Sequence, residues 1–216
     1  MAPELKFCGL TRAEDVMEAA RVGARYVGVI FAGGPRRLTA ERALEVLEYA
    51  PRTVARVGVF GAVNHAEIGH TAAAASLDVV QLHGDPAPDD IDQARRAFGG
   101  KVWAVLRCTG SSLPAGAHDV FLAADAVVLD ARVDGQLGGT GVTLDWARLA
   151  DEVSRLREST PVVLAGGLTP LNVADAVGLV GPDVVDVSSG VETAPGIKDH
   201  RRMRAFAEAV GAARAT

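Results

Sequence analysis

A thiol and a carboxylate stand at the ends of two apolar runs. Cys8 closes Leu5-Lys6-Phe7 directly before Gly9 and a helix signal, and Asp130 closes "AVVLD". A thiol where a strand runs out onto a loop is placed to act as a nucleophile or base. A carboxylate ending an apolar strand is costly to bury unless paired or protonated. It suits a general acid or base, and a helix cap or an ion pair with Arg132 is the plainer role. On two sides of a bound sugar, the two groups could take and give protons. Without a neighbouring cation a thiolate is a minority species near neutral pH, so a base at Cys8 requires one. Arg36 and Arg37 follow Gly33-Gly34-Pro35. Either guanidinium could take a carboxylate in a forked geometry, or both could face solvent. Gln81 and His83 stand in "QLHG" and Asp186 in "VVDVSSG". His83 reads as a catalytic group or equally as a satisfied histidine, and Asp186 as pointing into the barrel or toward a ligand, or as part of an internal charged layer.

Glycines supply the other candidate chemistry. "GGTG" (138–141), "AGG" (165–167) and "SSG" (188–190) each follow an apolar run. Glycines let backbone N–H groups approach an anion closely, so three such loops together fit a phosphate site. His65, His70, His118 and His200 share no metal-ligand spacing, so no metal is expected.

The elements that must position these residues recur regularly. The runs are "LKFCG" (5–9), "YVGVIF" (26–31), "VARVGVF" (54–60), "VVQLHG" (79–84), "KVWAVLR" (101–107), "AVVLDA" (126–131), "PVVLAGG" (161–167) and "VVDVSSG" (184–190). Most are Val-rich and nearly continuous, as strands buried on both faces of a parallel sheet are. Helical patterning fills the intervals. Residues 12–23 are charged at the start and closed by Gly23, 38–50 offer Thr39 as N-cap, and 169–181 offer Thr169 as N-cap with Pro170 at the first helical position. The weakest helix signal is 112–124. Strand and helix alternate eight times with no linker or composition break, which predicts an α/β protein, a single (β/α)8 TIM barrel over residues 1–216. An open doubly wound sheet is the alternative. In the barrel the site lies at the C-terminal ends of the strands, and the phosphate site at the last of them.

Composition narrows the function classes. With 49% hydrophobic residues a full core is available, and a net charge of −5 without a basic run argues against nucleic acid or anionic membranes as partners. Two cysteines make no disulfide framework, and no apolar run approaches the roughly 20 residues of a membrane span. No leader precedes the first strand, and a cytoplasmic protein is expected.

The motifs "KFCGLT", "VGVF", "QLHG", "VLD", "GGTG", "LAGGL" and "DVSSGVE" followed by "PGIKD" resemble, in order and across residues 6–199, those of the phosphoribosylanthranilate isomerases. "KFCG" and "DVSSGVE…PGIKD" are the specific pair. The resemblance implies an Amadori rearrangement of N-(5-phosphoribosyl)anthranilate to 1-(2-carboxyphenylamino)-1-deoxyribulose 5-phosphate in tryptophan biosynthesis. It implies Cys8 as general base, removing the C2′ proton, and Asp130 as general acid on the ring oxygen. Aligning the family's Ser-Pro-Arg with Gly34-Pro35-Arg36 implies Arg36 at the anthranilate carboxylate, with Arg37 the alternative. Backbone groups around Gly139, Gly167, Ser188, Ser189 and Gly190 would hold the phosphate, with Gln81, His83 and Asp186 also lining the substrate. No cofactor is implied, because the hydrogen moves within one substrate. The expected partner is that phosphorylated small molecule, and the chain is expected as a monomer or homodimer. A barrel that binds a sugar phosphate without catalysis, or with a different specificity, is the alternative reading.

Overall fold

The Val-rich runs become eight parallel strands that close on themselves. A computed structural model of the chain describes residues 2–61, 64–109, 112–132, 146–157 and 160–213. The strands are β1 (Glu4–Phe7), β2 (Tyr26–Ile30), β3 (Ala55–Phe60), β4 (Val79–Leu82), β5 (Lys101–Thr109), β6 (Ala126–Arg132), β7 (Val162–Ala165) and β8 (Val184–Val187). Each pairs with the next, and β8 returns to β1 in parallel register with Lys6 opposite Asp186. All strands point the same way, so their C-terminal ends and following loops share one mouth. Parallel neighbours need crossovers. Helices supply them: α1 (Ala13–Arg21), α2 (Ala40–Leu47), α3 (His65–Ala74), α4 (Pro88–Phe98), α5 (Ala117–Ala123), α6 (Trp146–Leu156) and α7 (Val173–Val180), with α8 (His200–Ala212) following β8.

Alternation along each strand sorts its side chains into two cores. Val57, Val79, Trp103, Val105, Ala126, Val128, Val163 and Val184 form the buried cluster inside the barrel. At its base the rings of Tyr26 and Trp103 meet edge to face at 4.8 Å. The opposite strand face, with Val27, Val80, Leu129 and Val185, packs on helix residues such as Val16, Ile91, Leu149 and Phe206. Both faces are therefore buried, which is why the runs read as continuous rather than alternating. Carried toward the mouth, the inner register passes from Val79 to Gln81 and His83, from Val105 to Arg107, from Val128 to Asp130, and from Val184 to Asp186 and Ser188. Lys6, opposite Asp186, shares that face, and Cys8 follows it.

Some element boundaries depart from the sequence reading. Thr39 caps α2 as expected, accepting from the Arg42 backbone N–H at 3.2 Å. The last interval helix does not start at Pro170. Asn172 Oδ1 accepts from Thr169 N–H at 2.7 Å, and Thr169 Oγ1 from Leu171 N–H at 3.2 Å, so a side-chain-closed turn holds 169–172 and α7 begins at Val173. These short polar side chains offer the backbone an alternative to the helix ladder. A further element was not anticipated: after a 3-10 turn (Ser189–Val191), β9 (Glu192–Ala194) pairs antiparallel with β10 (Ile197–Lys198) beside the mouth. Among the described residues no helix is long and apolar enough to cross a membrane.

Candidate active site

The inner register gathers most of the sequence candidates at one mouth. Cys8 is buried just beyond β1, where its N–H makes a last ladder bond to Val187 O at 2.9 Å. Gly28 on β2 leaves room for the thiol: a Cβ there would stand 3.1 Å from Cys8 Sγ. Gly9, at φ +68°, turns the chain away in a conformation that favours glycine. A side chain on Gly9 would meet Arg36 Cδ at 2.7 Å and Ser188 Oγ at 2.9 Å, so both residues close over this turn.

Two lysines, neither singled out from the sequence, set the field around the thiol. Lys6 is fully buried, and its Nζ donates to Asp186 Oδ2 at 2.5 Å. Lys198 is also buried, and its Nζ donates to Ser188 O at 3.1 Å just after β8, the neighbour of β1. Burial pushes the Cys8 thiol up; Lys6 pulls it down, Asp186 pushes it up again and Lys198 pulls it down, with burial prevailing. The free protein therefore holds a thiol, with the cations that a thiolate would need already in place. Burial alone would lower Lys6, but Asp186 and Cys8 more than offset that and hold it above its usual value. The residue that could have betrayed this arrangement is Lys6 itself, a charge inside an apolar strand.

Asp130 lies on β6, three strands round the closed ring from β1 by way of β8 and β7. Burial raises its carboxyl, and Asp186 adds to that, while His83, Arg107 and Lys6 oppose it; the net direction is upward. His83 Nε2 approaches Asp130 Oδ2 to 3.8 Å, and Arg107 pairs with Asp85 at 3.4 Å. A raised carboxyl retains its proton to higher pH than an ordinary aspartic acid, which suits proton donation. The Lys6–Asp186 pair thus acts electrostatically on both the thiol and the carboxyl. Asp186 is in the internal charged position that its sequence context allowed. Its Oδ1 and Gln81 Oε1 are buried without a protein partner among the described residues.

Arg36, in the loop between β2 and α2, turns toward β9 and pairs with Glu192, whereas Arg37 is exposed. Gly166 and Gly167, at φ +85° and +65°, carry the chain out of β7. Gly190 passes so close to this loop that a Cβ would lie 1.9 Å from Leu168 O. The loops after β7 and β8 therefore meet where Gly190 passes Leu168 and Thr169, with Gly167 just before that contact and Ser188 and Ser189 leading into the 3-10 turn. Gly139 lies outside the described residues. Glu192 and Lys198, whose only sequence signal is their place in "DVSSGVE" and "PGIKD", complete the wall beside Arg36.

The family model described as N-(5'phosphoribosyl)anthranilate (PRA) isomerase matches residues 5–209. An N-(5'-phosphoribosyl)anthranilate isomerase of Pseudomonas fluorescens (strain Pf0-1) is 40% identical over 206 residues, covering 95% of this chain and 97% of the relative. The crystal structure of the Thermus thermophilus phosphoribosyl anthranilate isomerase superposes with a TM-score of 0.83 at 31% identity, over 97% of this chain and 98% of that one. Another solved phosphoribosyl anthranilate isomerase, with a TM-score of 0.78 and 31% identity over 97% of this chain and 99% of that one, holds reduced 1-(O-carboxyphenylamino)-1-deoxyribulose 5-phosphate.

Proposed function

The chain belongs to the N-(5'-phosphoribosyl)anthranilate isomerase family and is an isomerase of tryptophan biosynthesis, and from that premise we propose the parts that its own residues take. Asp130 protonates the ring oxygen of N-(5-phosphoribosyl)anthranilate, and the ring opens to an iminium at C1′. That cation acidifies the neighbouring C2′–H. Cys8 takes this proton, with Lys6 and Lys198 stabilising the thiolate that must form. The resulting enolamine gains a proton at C1′ and loses one from the C2′ hydroxyl, giving the ketone. C1′ is reduced and C2′ oxidised within one molecule, so the reaction calls for no cofactor. Arg36 holds the anthranilate carboxylate. Backbone N–H groups around Gly167, Ser188, Ser189 and Gly190, with Gly139, hold the phosphate, and Gln81, His83 and Asp186 flank the sugar. Residues 1–216 act in this reading as one domain.

The observation that carries this reading is the placement of Cys8 and Asp130. They occupy inner-register mouth positions on strands from opposite halves of the chain, with one buried Lys6–Asp186 pair acting on both. General acid and base groups so placed typically contribute 10²–10⁴-fold each, and fixing the two substrate anions sets the sugar between them.

The test follows loss of anthranilate-type fluorescence, with the labile substrate made in place from anthranilate and phosphoribosyl pyrophosphate by the phosphoribosyltransferase. Turnover by the wild type, with Cys8→Ala and Asp130→Asn each reduced at least a hundredfold while folded, supports both roles. A folded variant with full rate removes that residue from the mechanism. A folded wild type without turnover overturns the catalytic reading and leaves a sugar-phosphate-binding barrel.

A further inference from the structure

Arg36, from the loop after β2, and two charged side chains of the β9–β10 hairpin close into one cluster beside the thiol. Arg36 grips Glu192 with a single edge of its guanidinium: Nε lies 2.9 Å from Oε1 and 3.2 Å from Oε2, and Nη2 lies 2.5 Å from Oε2. Lys198 Nζ donates to Glu192 Oε1 at 2.8 Å, to Ser188 O at 3.1 Å and to Ser188 Oγ at 3.5 Å. The Gly196 N–H adds a bond to Glu192 Oε1 at 3.2 Å. The side chains of Glu192 and Lys198 are 5% and 0% exposed, whereas that of Arg36 is 22% exposed. The two buried members thus back the one that reaches the mouth.

The hairpin sets this pairing, for Glu192 and Lys198 are cross-strand partners in β9 and β10. Neighbouring elements pin it. Thr11 Oγ1 donates to Gly196 O at 2.6 Å, Arg202 Nη1 to Glu192 O at 2.6 Å, and the Lys198 N–H to Asp15 Oδ2 at 3.3 Å. Groups held this way lose little freedom when a ligand arrives.

Geometry and charge then point one way. A guanidinium carries five N–H donors, and the Nε–Nη2 edge is engaged. Nη1 makes no hydrogen bond among the described residues, which leaves the second edge for another carboxylate. An isolated Arg–Glu pair is neutral and attracts an anion weakly. With Lys198 the cluster carries one net positive charge.

We propose that Glu192 and Lys198 are positioning residues for recognition of the substrate's aromatic carboxylate: Glu192 orients Arg36 by one edge, and Lys198 keeps the cluster cationic. This rests on the reading of Arg36 as the carboxylate binder.

The test is equilibrium binding, so ionisation of Cys8 does not enter. Two probes are compared: reduced 1-(2-carboxyphenylamino)-1-deoxyribulose 5-phosphate and its counterpart without the carboxylate. The ratio of their affinities measures carboxylate recognition. Arg36→Met should collapse that ratio. Lys198→Met should cut it roughly tenfold, the scale of one nearby charge at the effective dielectric of a protein surface, while any loss through its bonds to Ser188 falls on both probes and cancels in the ratio. Glu192→Gln adds net positive charge, so a pure charge effect would raise the ratio; loss of orientation should lower it. If Arg36→Met collapses the ratio but both other variants keep it, the inference fails and the reading of Arg36 stands. If Arg36→Met also keeps it, both fail. Equal loss of both probes in the Glu192 and Lys198 variants means a merely structural role and overturns the inference. Either variant alone decides the matter if the other does not fold.

Discussion

Replacing Glu192 with glutamine mimics the protonated acid at nearly constant shape, and the structure says how the cost should vary with pH. Burial would raise the Glu192 carboxyl, but hydrogen bonds from Arg36 and Lys198, and their charges, reverse this and bring it down to about 2 from 4.5. A carboxyl depressed in the folded state stabilises the fold fully above its unfolded pKa. That contribution is lost as pH falls through the folded value. Two and a half units correspond to about 3 kcal/mol near pH 6, falling to about 1 kcal/mol at pH 3. Urea denaturation of wild type and Glu192→Gln at these two pH values reads the difference directly. The variant should be less stable by about 3 kcal/mol at pH 6, and the gap should narrow by about 2 kcal/mol at pH 3. A gap that stays constant between the two would refute the reasoning, because the carboxylate charge would then contribute nothing beyond shape. Such a loss is a sizeable part of the roughly 5–15 kcal/mol that holds a typical domain folded, so the comparison should use conditions where both proteins remain native without urea.

Three other outcomes are expected. Lys6→Met leaves the Asp186 carboxylate buried without its partner and should cost about 3–5 kcal/mol; Lys6→Met combined with Asp186→Leu should recover most of this in the same denaturation assay, and an additive double variant would contradict the buried-pair account. Gly28→Ala places a methyl group 3.1 Å from Cys8 Sγ. The thiol must shift by a few tenths of an ångström, so kcat should fall roughly tenfold while stability changes by less than about 2 kcal/mol; an unchanged kcat would mean that Gly28 does not set the thiol's position. Alkylation by iodoacetamide, followed by mass spectrometry, should reach Cys8 slowly at neutral pH and faster as the solution becomes alkaline, because burial holds that thiol up. Cys108, fully buried and pushed up to about 12, should stay unmodified in the native protein, and its earlier modification would contradict the assignment.

Hydrophobic periodicity made the strands and most helices legible because it is a local property. Val-rich runs such as "AVVLD" need both faces buried, and a chain of alternating strands and helices can satisfy this by closing a barrel. Cys8 and Asp130 stood out for the same reason, since a reactive or costly group at the end of an apolar run is visible without any partner. What the local pattern lacked was the partner. Lys6 and Asp186 are 180 residues apart, and Arg36 and Glu192 are 156 apart. Only closure of β8 onto β1 makes the first two neighbours, and only the β9–β10 hairpin presents Glu192 and Lys198 to Arg36. The start of α7 was misplaced because Thr169 and Asn172 bond to the nearby backbone, a competition that propensity alone does not resolve. Charge environment is likewise tertiary. Whether a thiol is raised or lowered depends on burial and on cations within a few ångströms, and both are decided when the strands close. The sequence by itself therefore determined the barrel's strands, most of its helices and the reactive side chains, through period and residue type. The tertiary structure alone decided which charges surround them, because electrostatic interaction depends on distance in space rather than along the chain.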